Sequence, residues 1–186
     1  MGKSSVWKII TLAIVIGVLI IGGSIGMGLG IKRSYSIEVA SNIEEAQFIG
    51  GGSYKVGDKV TFETNKVDGY RFMGWKFKSI IASIDNPYTF TLSKNNAGSY
   101  LAFYEREYNL SKVEDDNGEI SLSPQKAVYG EEITITITPS QGYEIQHLYY
   151  AEGDSYEYID IEDNKFYMPR NDVTVYATFK SINNQG

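Results

Sequence analysis

The sequence predicts a mainly β protein: two tandem small β-rich repeat domains after one N-terminal transmembrane helix. Three observations carry this. An uncharged run fills Ile9 to Ile31, strand-like alternation fills the remainder, and the phrase Gly69-Tyr70-Arg71-Phe72-Met73-Gly74-Trp75 returns in weakened form as Gly142-Tyr143-Glu144-Ile145. The 186 residues hold no cysteine and a single histidine, His147, which excludes disulfides, thiolate metal sites and most zinc sites. Fifteen tyrosines, nineteen glycines and four prolines favour strands joined by turns. Residues 1–33 carry four bases and no acid, and the rest carries thirteen bases against twenty-three acids, a net −10. A body so acidic repels phosphate backbones, so no nucleic-acid partner is expected.

The 23 residues from Ile9 to Ile31 would span ~34 Å as a helix, enough to cross a bilayer. Trp7 and Lys8 at one end and Lys32-Arg33 at the other suit interfacial anchoring. A cleaved signal peptide is the alternative, with Lys3 and Lys8 as its charged start and the glycine-rich end as cleavage region. No A-x-A-like site supports it. Gly22, Gly26 and Gly30 form overlapping G-x-x-x-G steps, which in a membrane helix share a face and offer a homo-oligomer contact. The same glycines equally fit a glycine-rich membrane end.

The body reads as a duplication. Tyr54 to Thr61 aligns with Ala127 to Thr134, Gly57 meeting Gly130 at a shift of 73. Gly69-Tyr70 meets Gly142-Tyr143 at that shift, as do Tyr35 and Ile37 with Tyr108 and Leu110. Ala102 and Tyr104 match Ala177 and Phe179 after a small insertion. This divides the chain into 1–33 as anchor or signal, 34–106 and 107–182 as repeat domains, and 183–186 as a tail.

Each repeat alternates with period two. Ile37 and Val39, then Val60 and Phe62, then Tyr88, Phe90 and Leu92 mark half-buried strands in the first. Ile133, Ile135 and Ile137, then Val173, Val175, Ala177 and Phe179 do so in the second. Pro139 should end its strand, since it cannot donate to a ladder. Asn117-Gly118 fits a hairpin turn, Gly50-Gly51-Gly52 a hairpin loop, and Lys78–Ser83 one helical turn.

The pattern S-Y-x-x-G-D-x-V-T at Ser53 to Thr61, D-G-Y-x-F-x-G-W at Asp68 to Trp75 and N-P-Y-T-F-T-L at Asn86 to Leu92 resembles the divergent internalin-type B-repeat family of bacterial surface proteins. The second unit resembles a variant, with G-Y-E-I at Gly142 to Ile145 and F-Y-M-P-R-N-D-V-T-V-Y-A-T-F at Phe166 to Phe179. It replaces the Gly-Trp pair by Gln146-His147-Leu148. The resemblance implies small β-rich modules, β-grasp-like or sandwich-like, that act as spacers or adhesive units, and no catalytic residues.

Three further stretches hold residue types that could carry chemistry. The triple glycine lacks phosphate-loop spacing and precedes a strand. The acidic turn Glu114 to Glu119 crowds oxygens that suit Ca²⁺ but departs from the EF-hand pattern, so a solvated turn is the simpler reading. Tyr149, Tyr150, Tyr156 and Tyr158 form a candidate ligand surface for glycan or protein, with core packing as the alternative. The expectation is a non-enzymatic, cofactor-free, single-pass membrane protein with extracellular repeats, or a secreted one after signal cleavage. The alternative is a structural subunit of an envelope complex, oligomerising through its glycine-rich helix.

Overall fold

Alternating apolar and polar side chains give fifteen strands in residues 33–182, the part that the computed structural model describes. The expected membrane segment, with Gly22, Gly26 and Gly30, and the tail 183–186 lie outside the described residues. The first repeat contains β1 (Ser34–Ser41), β2 (Phe48–Ile49), β3 (Gly52–Lys55), β4 (Lys59–Thr64), β5 (Tyr70–Phe77), β6 (Ile80–Ser83) and β7 (Tyr88–Thr91). β8 (Ser99–Glu114) closes the first repeat and opens the second. There follow β9 (Gly118–Ser123), β10 (Lys126–Val128), β11 (Glu132–Pro139), β12 (Tyr143–Glu152), β13 (Ile159–Asp160), β14 (Lys165–Tyr167) and β15 (Val173–Ser181). β11 ends at Pro139, as a residue without a backbone donor requires. Among the described residues there is no helix.

The two repeats build the same arrangement twice. In the first, the strand order is β6-β5-β8-β1-β3, and in the second it is β13-β12-β15-β8-β10. In each, the first and last strands pair in parallel, Glu38 opposite Ser99 and Ser111 opposite Thr174. Because β8 belongs to both, the two halves merge into one nine-stranded sheet. A three-stranded sheet covers each half: β2-β4-β7 in the first repeat and β9-β11-β14 in the second.

Each pair of layers encloses its own core. Val60 and Phe62 of β4 meet Trp75 of β5 and Tyr100, Ala102 and Tyr104 of β8. Ile133 and Ile135 of β11 meet Val175, Ala177 and Phe179 of β15. Even-numbered residues of β8 serve both cores: Tyr100, Ala102 and Tyr104 in the first, Tyr108 and Leu110 in the second. Burying such aromatic and branched side chains is the main driving force for layering two sheets this small.

Turn chemistry repeats too. The Gly57 N–H donates to the Leu92 carbonyl and the Gly130 N–H to the Met168 carbonyl, both at 2.8 Å. The Asp58 carboxylate accepts the Lys55 N–H at 2.8 Å, and Glu131 accepts the Val128 N–H at 3.0 Å. Both repeats carry a bulge at the same place, between Phe72 and Gly74 and between Ile145 and His147. Gly74 has φ +133°, and a Cβ there would lie 2.7 Å from the Ser83 carbonyl oxygen. That close approach accounts for the glycine beside Trp75.

Three local expectations need correction. Lys78–Ser83 is not helical: Lys78 and Ser79, both at positive φ, form the turn of the β5–β6 hairpin. Gly50 to Gly52 does not close a hairpin, since β2 pairs with β4 and β3 with β1. The glycines carry the chain between layers, and a Cβ on Gly50 would meet the Thr61 carbonyl oxygen at 2.3 Å. Asn117-Gly118 likewise connects the layers, because β9 pairs with β11 and not with β8.

Candidate binding face and inter-repeat joint

Along β15, Val173, Val175, Ala177 and Phe179 enter the core, so Thr174, Tyr176 and Thr178 face outward. The β12–β15 register sets Tyr149 opposite Tyr176, and their rings stack at 5.2 Å and 13°. Tyr158, just before β13, stands edge-on to both, at 4.8 Å from Tyr149 and 5.7 Å from Tyr176. On the other flank Val113 of β8 lies opposite Tyr176 and is half exposed. The next row holds the hydroxyls of Ser111 and Thr174, 2.8 Å apart. The result is an aromatic and hydroxyl face across β12, β15 and β8, with Tyr158 at its edge. Such a face stacks on apolar surfaces while its hydroxyls hydrogen-bond.

The four tyrosines singled out in the sequence therefore separate. Tyr149 and Tyr158 join this face. Tyr150 points the other way, stacks on Phe166 at 4.6 Å, and has its phenol pKa raised by burial and then by Glu152. Tyr156 is 91% exposed in the loop before β13. Tyr176 was missed because it lies 18 residues beyond Tyr158, although its alternation with Val175 and Ala177 already turned it outward. His147 is exposed on the same sheet, opposite Thr178.

Asp115 and Glu114 of the acidic turn are engaged with the fold. Asp115 accepts the N–H groups of Phe179 and Asn117, each at 2.9 Å, and in that order these hold its pKa below the usual carboxylate range. Burial disfavours the Glu114 charge, but the Ile120 N–H and the Lys112 ammonium outweigh it and lower its pKa. In the first repeat the position of Asp115 is held by Asn42, which accepts the Tyr104 N–H at 2.8 Å and donates to the Tyr104 carbonyl. Among the described residues no group of three or more histidines and acids is placed to hold a metal ion.

The Asp115 bonds stabilise the fold when the carboxylate is charged. Its pKa is lower folded than unfolded, so this contribution is full above about pH 4, the ordinary aspartate range, and is lost as pH falls through the lowered value. Asp115→Asn should leave the urea midpoint at pH 7 close to that of the parent, because Asn42 already serves in the first repeat. Between pH 7 and pH 3 the midpoint should fall less for the variant than for the parent. Equal falls would remove Asp115 from the acid sensitivity.

The two repeats meet along β8 without a linker, residues 106 and 107 being consecutive members of that strand. Arg71, on β5 of the first repeat, braces the joint. Its Nε donates to Glu107 at 2.8 Å, Nη1 to Glu131 at 2.7 Å and Nη2 to the Lys126 carbonyl at 3.1 Å. Burial disfavours the guanidinium charge, yet the bonds to Glu107 and Glu131 prevail and raise its pKa. The planar fork of arginine suits three acceptors at once. At the matching place in the second repeat Glu144 pairs with Lys180, so the clamp belongs to this junction alone among the described residues.

A family model for a divergent InlB B-repeat domain matches the chain twice in tandem, over residues 35–106 and 108–183. Comparison with curated proteins gave no match.

Proposed function

Since the chain belongs to the divergent InlB B-repeat family, we propose that it is a surface-associated repeat protein: a stiff pair of repeats that carries a tyrosine face away from a membrane anchored by residues 9–31. The observation that carries this reading is the joint. One sixteen-residue strand passes through both repeats, ~53 Å of continuous ladder at ~3.3 Å per residue. A flexible linker would leave the second repeat free to fold back, whereas a shared strand with an arginine clamp fixes its direction.

The protein acts by contact and not by reaction. Support comes from the family type and from the tyrosine face on the second repeat, which suits a protein or glycan ligand. The repeats are exported and the anchor stays attached. Protease added to intact cells should then digest the repeats, and complete protection would refute export. In retention assays of the full chain on envelope glycans and envelope proteins, Tyr158→Ala with Tyr176→Ala should weaken binding about tenfold or more. Both side chains lie outside the core, so the denaturation midpoint should hardly move. Unaltered retention would remove this face as the ligand surface.

A further inference from the structure

Strand polarity fixes which end of the first repeat the chain enters. β1 and β8 run parallel, with Glu38 level with Ser99, and β5 runs antiparallel to β8, with Phe77 level with Tyr100. The start of β1 at Ser34, the start of β8 and the Lys78-Ser79 turn therefore share one end of the sheet. The second repeat extends from the opposite end, along the rest of β8.

That shared end has its own chemistry. Arg33, Lys55, Lys59, Lys78 and Lys94 are all exposed there, and among the described residues none forms an ion pair with a carboxylate. Several bonds gather the first, second and last of these around one turn. The Val56 N–H donates to the Arg33 carbonyl, the Gly57 N–H to the Leu92 carbonyl, and the Leu92 N–H, ahead of the turn that carries Lys94, to the Asp58 carbonyl. Gly98, ahead of β8, would place a Cβ 3.3 Å from the Phe77 ring, which brings Lys78 to the same end. Among the described residues the acids placed at this end are two, Asp58, which accepts the Lys55 N–H, and Glu38, which accepts the Ser99 hydroxyl, so the bases outnumber them. Beside the lysines, Ile80 and Ile81 are 69% and 44% exposed on the β6 edge. A cationic, isoleucine-tipped end is unexpected on a body of net −10.

We propose that this end of the first repeat rests on an anionic phospholipid surface, with the lysines against headgroups and the isoleucine tip at the acyl boundary. The inference rests on the anchor reading above. The uncharged run ends at Ile31, so only Lys32 and Arg33 separate it from β1, a reach of about 10 Å. With the first repeat held that close, basic side chains gain from the negative surface potential and exposed isoleucines from burial at the interface. The stiff joint then points the tyrosine face outward. A soluble polyanion would need the same charges but not the isoleucines, and nothing would hold it near them.

The absence of cysteine allows a direct test. Full chains with Ser79→Cys or Ser155→Cys, each fluorescently labelled, are reconstituted in vesicles that carry a headgroup-linked quencher. With anionic lipid, quenching at position 79 should exceed that at 155 severalfold. With neutral lipid the excess should shrink, as it should for Lys78→Glu with Lys94→Glu. Flotation in alkaline carbonate reports the anchor separately. A chain that floats but shows equal quenching at the two positions would overturn the contact alone. A chain that does not float would overturn the anchor and the contact together. Excess quenching that is the same in neutral and anionic lipid would overturn the role given to charge.

Discussion

Trp75→Ala is expected to cost about 3–5 kcal/mol of folding stability, the usual range for deleting a large buried aromatic. The indole is fully buried where the two layers of the first repeat meet. Its ring lies 5.1 Å from Phe62 of the covering sheet and 5.5 Å from Phe72 of its own strand. Its N–H donates to the Asp85 carbonyl at 3.1 Å, so truncation empties a cavity and also leaves that acceptor without its partner. Small domains hold only about 5–15 kcal/mol in total, so the first repeat should melt well before the second. The matching position in the second repeat is Leu148, opposite Ala177 as Trp75 is opposite Ala102. Leu148 is only partly buried, and Leu148→Ala should cost about 2 kcal/mol, the lower end for such a change. Denaturant titration followed by circular dichroism compares the two. Equal losses would deny Trp75 its central place. Full burial also explains why the second repeat manages without the tryptophan: the ring packs the core and has no surface left for a ligand.

Glu107→Pro should loosen the joint. The Glu107 N–H donates to the Gly69 carbonyl at 2.9 Å, and its carboxylate takes the Arg71 Nε. Proline removes both, at a cost of about 2–3 kcal/mol for the lost ladder bond and the uncompensated partners. Both cores remain intact, so the repeats should stay folded but turn relative to each other. X-ray scattering of the full chain should show a wider distribution of maximum dimension for the variant than for the parent. Arg71→Met tests the clamp without breaking the strand. Its ion pairs are about one-third exposed on the arginine side, so it should cost only about 1 kcal/mol, and less at high salt. An unaltered distribution in Glu107→Pro would mean that the shared strand does not set the orientation, and the proposed stalk would fail.

Most of the strands were legible in the residues. Ile133, Ile135 and Ile137 announced β11 and its buried face, Pro139 announced its end, and the 73-residue shift announced the duplication. What eluded sequence reasoning was pairing. Asn117-Gly118 and the triple glycine were recognisable as turns, but a turn does not say whether the strands it joins lie in one layer or two. Asp115 was recognisable as part of an acidic turn, but not as the substitute for Asn42 that caps the Phe179 N–H.

The sequence by itself determined the β class, the two copies, the face each strand turns inward and the charge that sets residues 1–33 apart. These follow from properties of neighbouring residues, since alternation and turn propensity act over a few positions. Only the tertiary structure decided that β8 serves both repeats, that Arg71 reaches Glu131, that Tyr176 completes the pair Tyr149 and Tyr158, and that the lysines gather where the chain enters. Each of those depends on the register between strands tens of residues apart, which is settled by how the two cores fill and leaves no mark in local order.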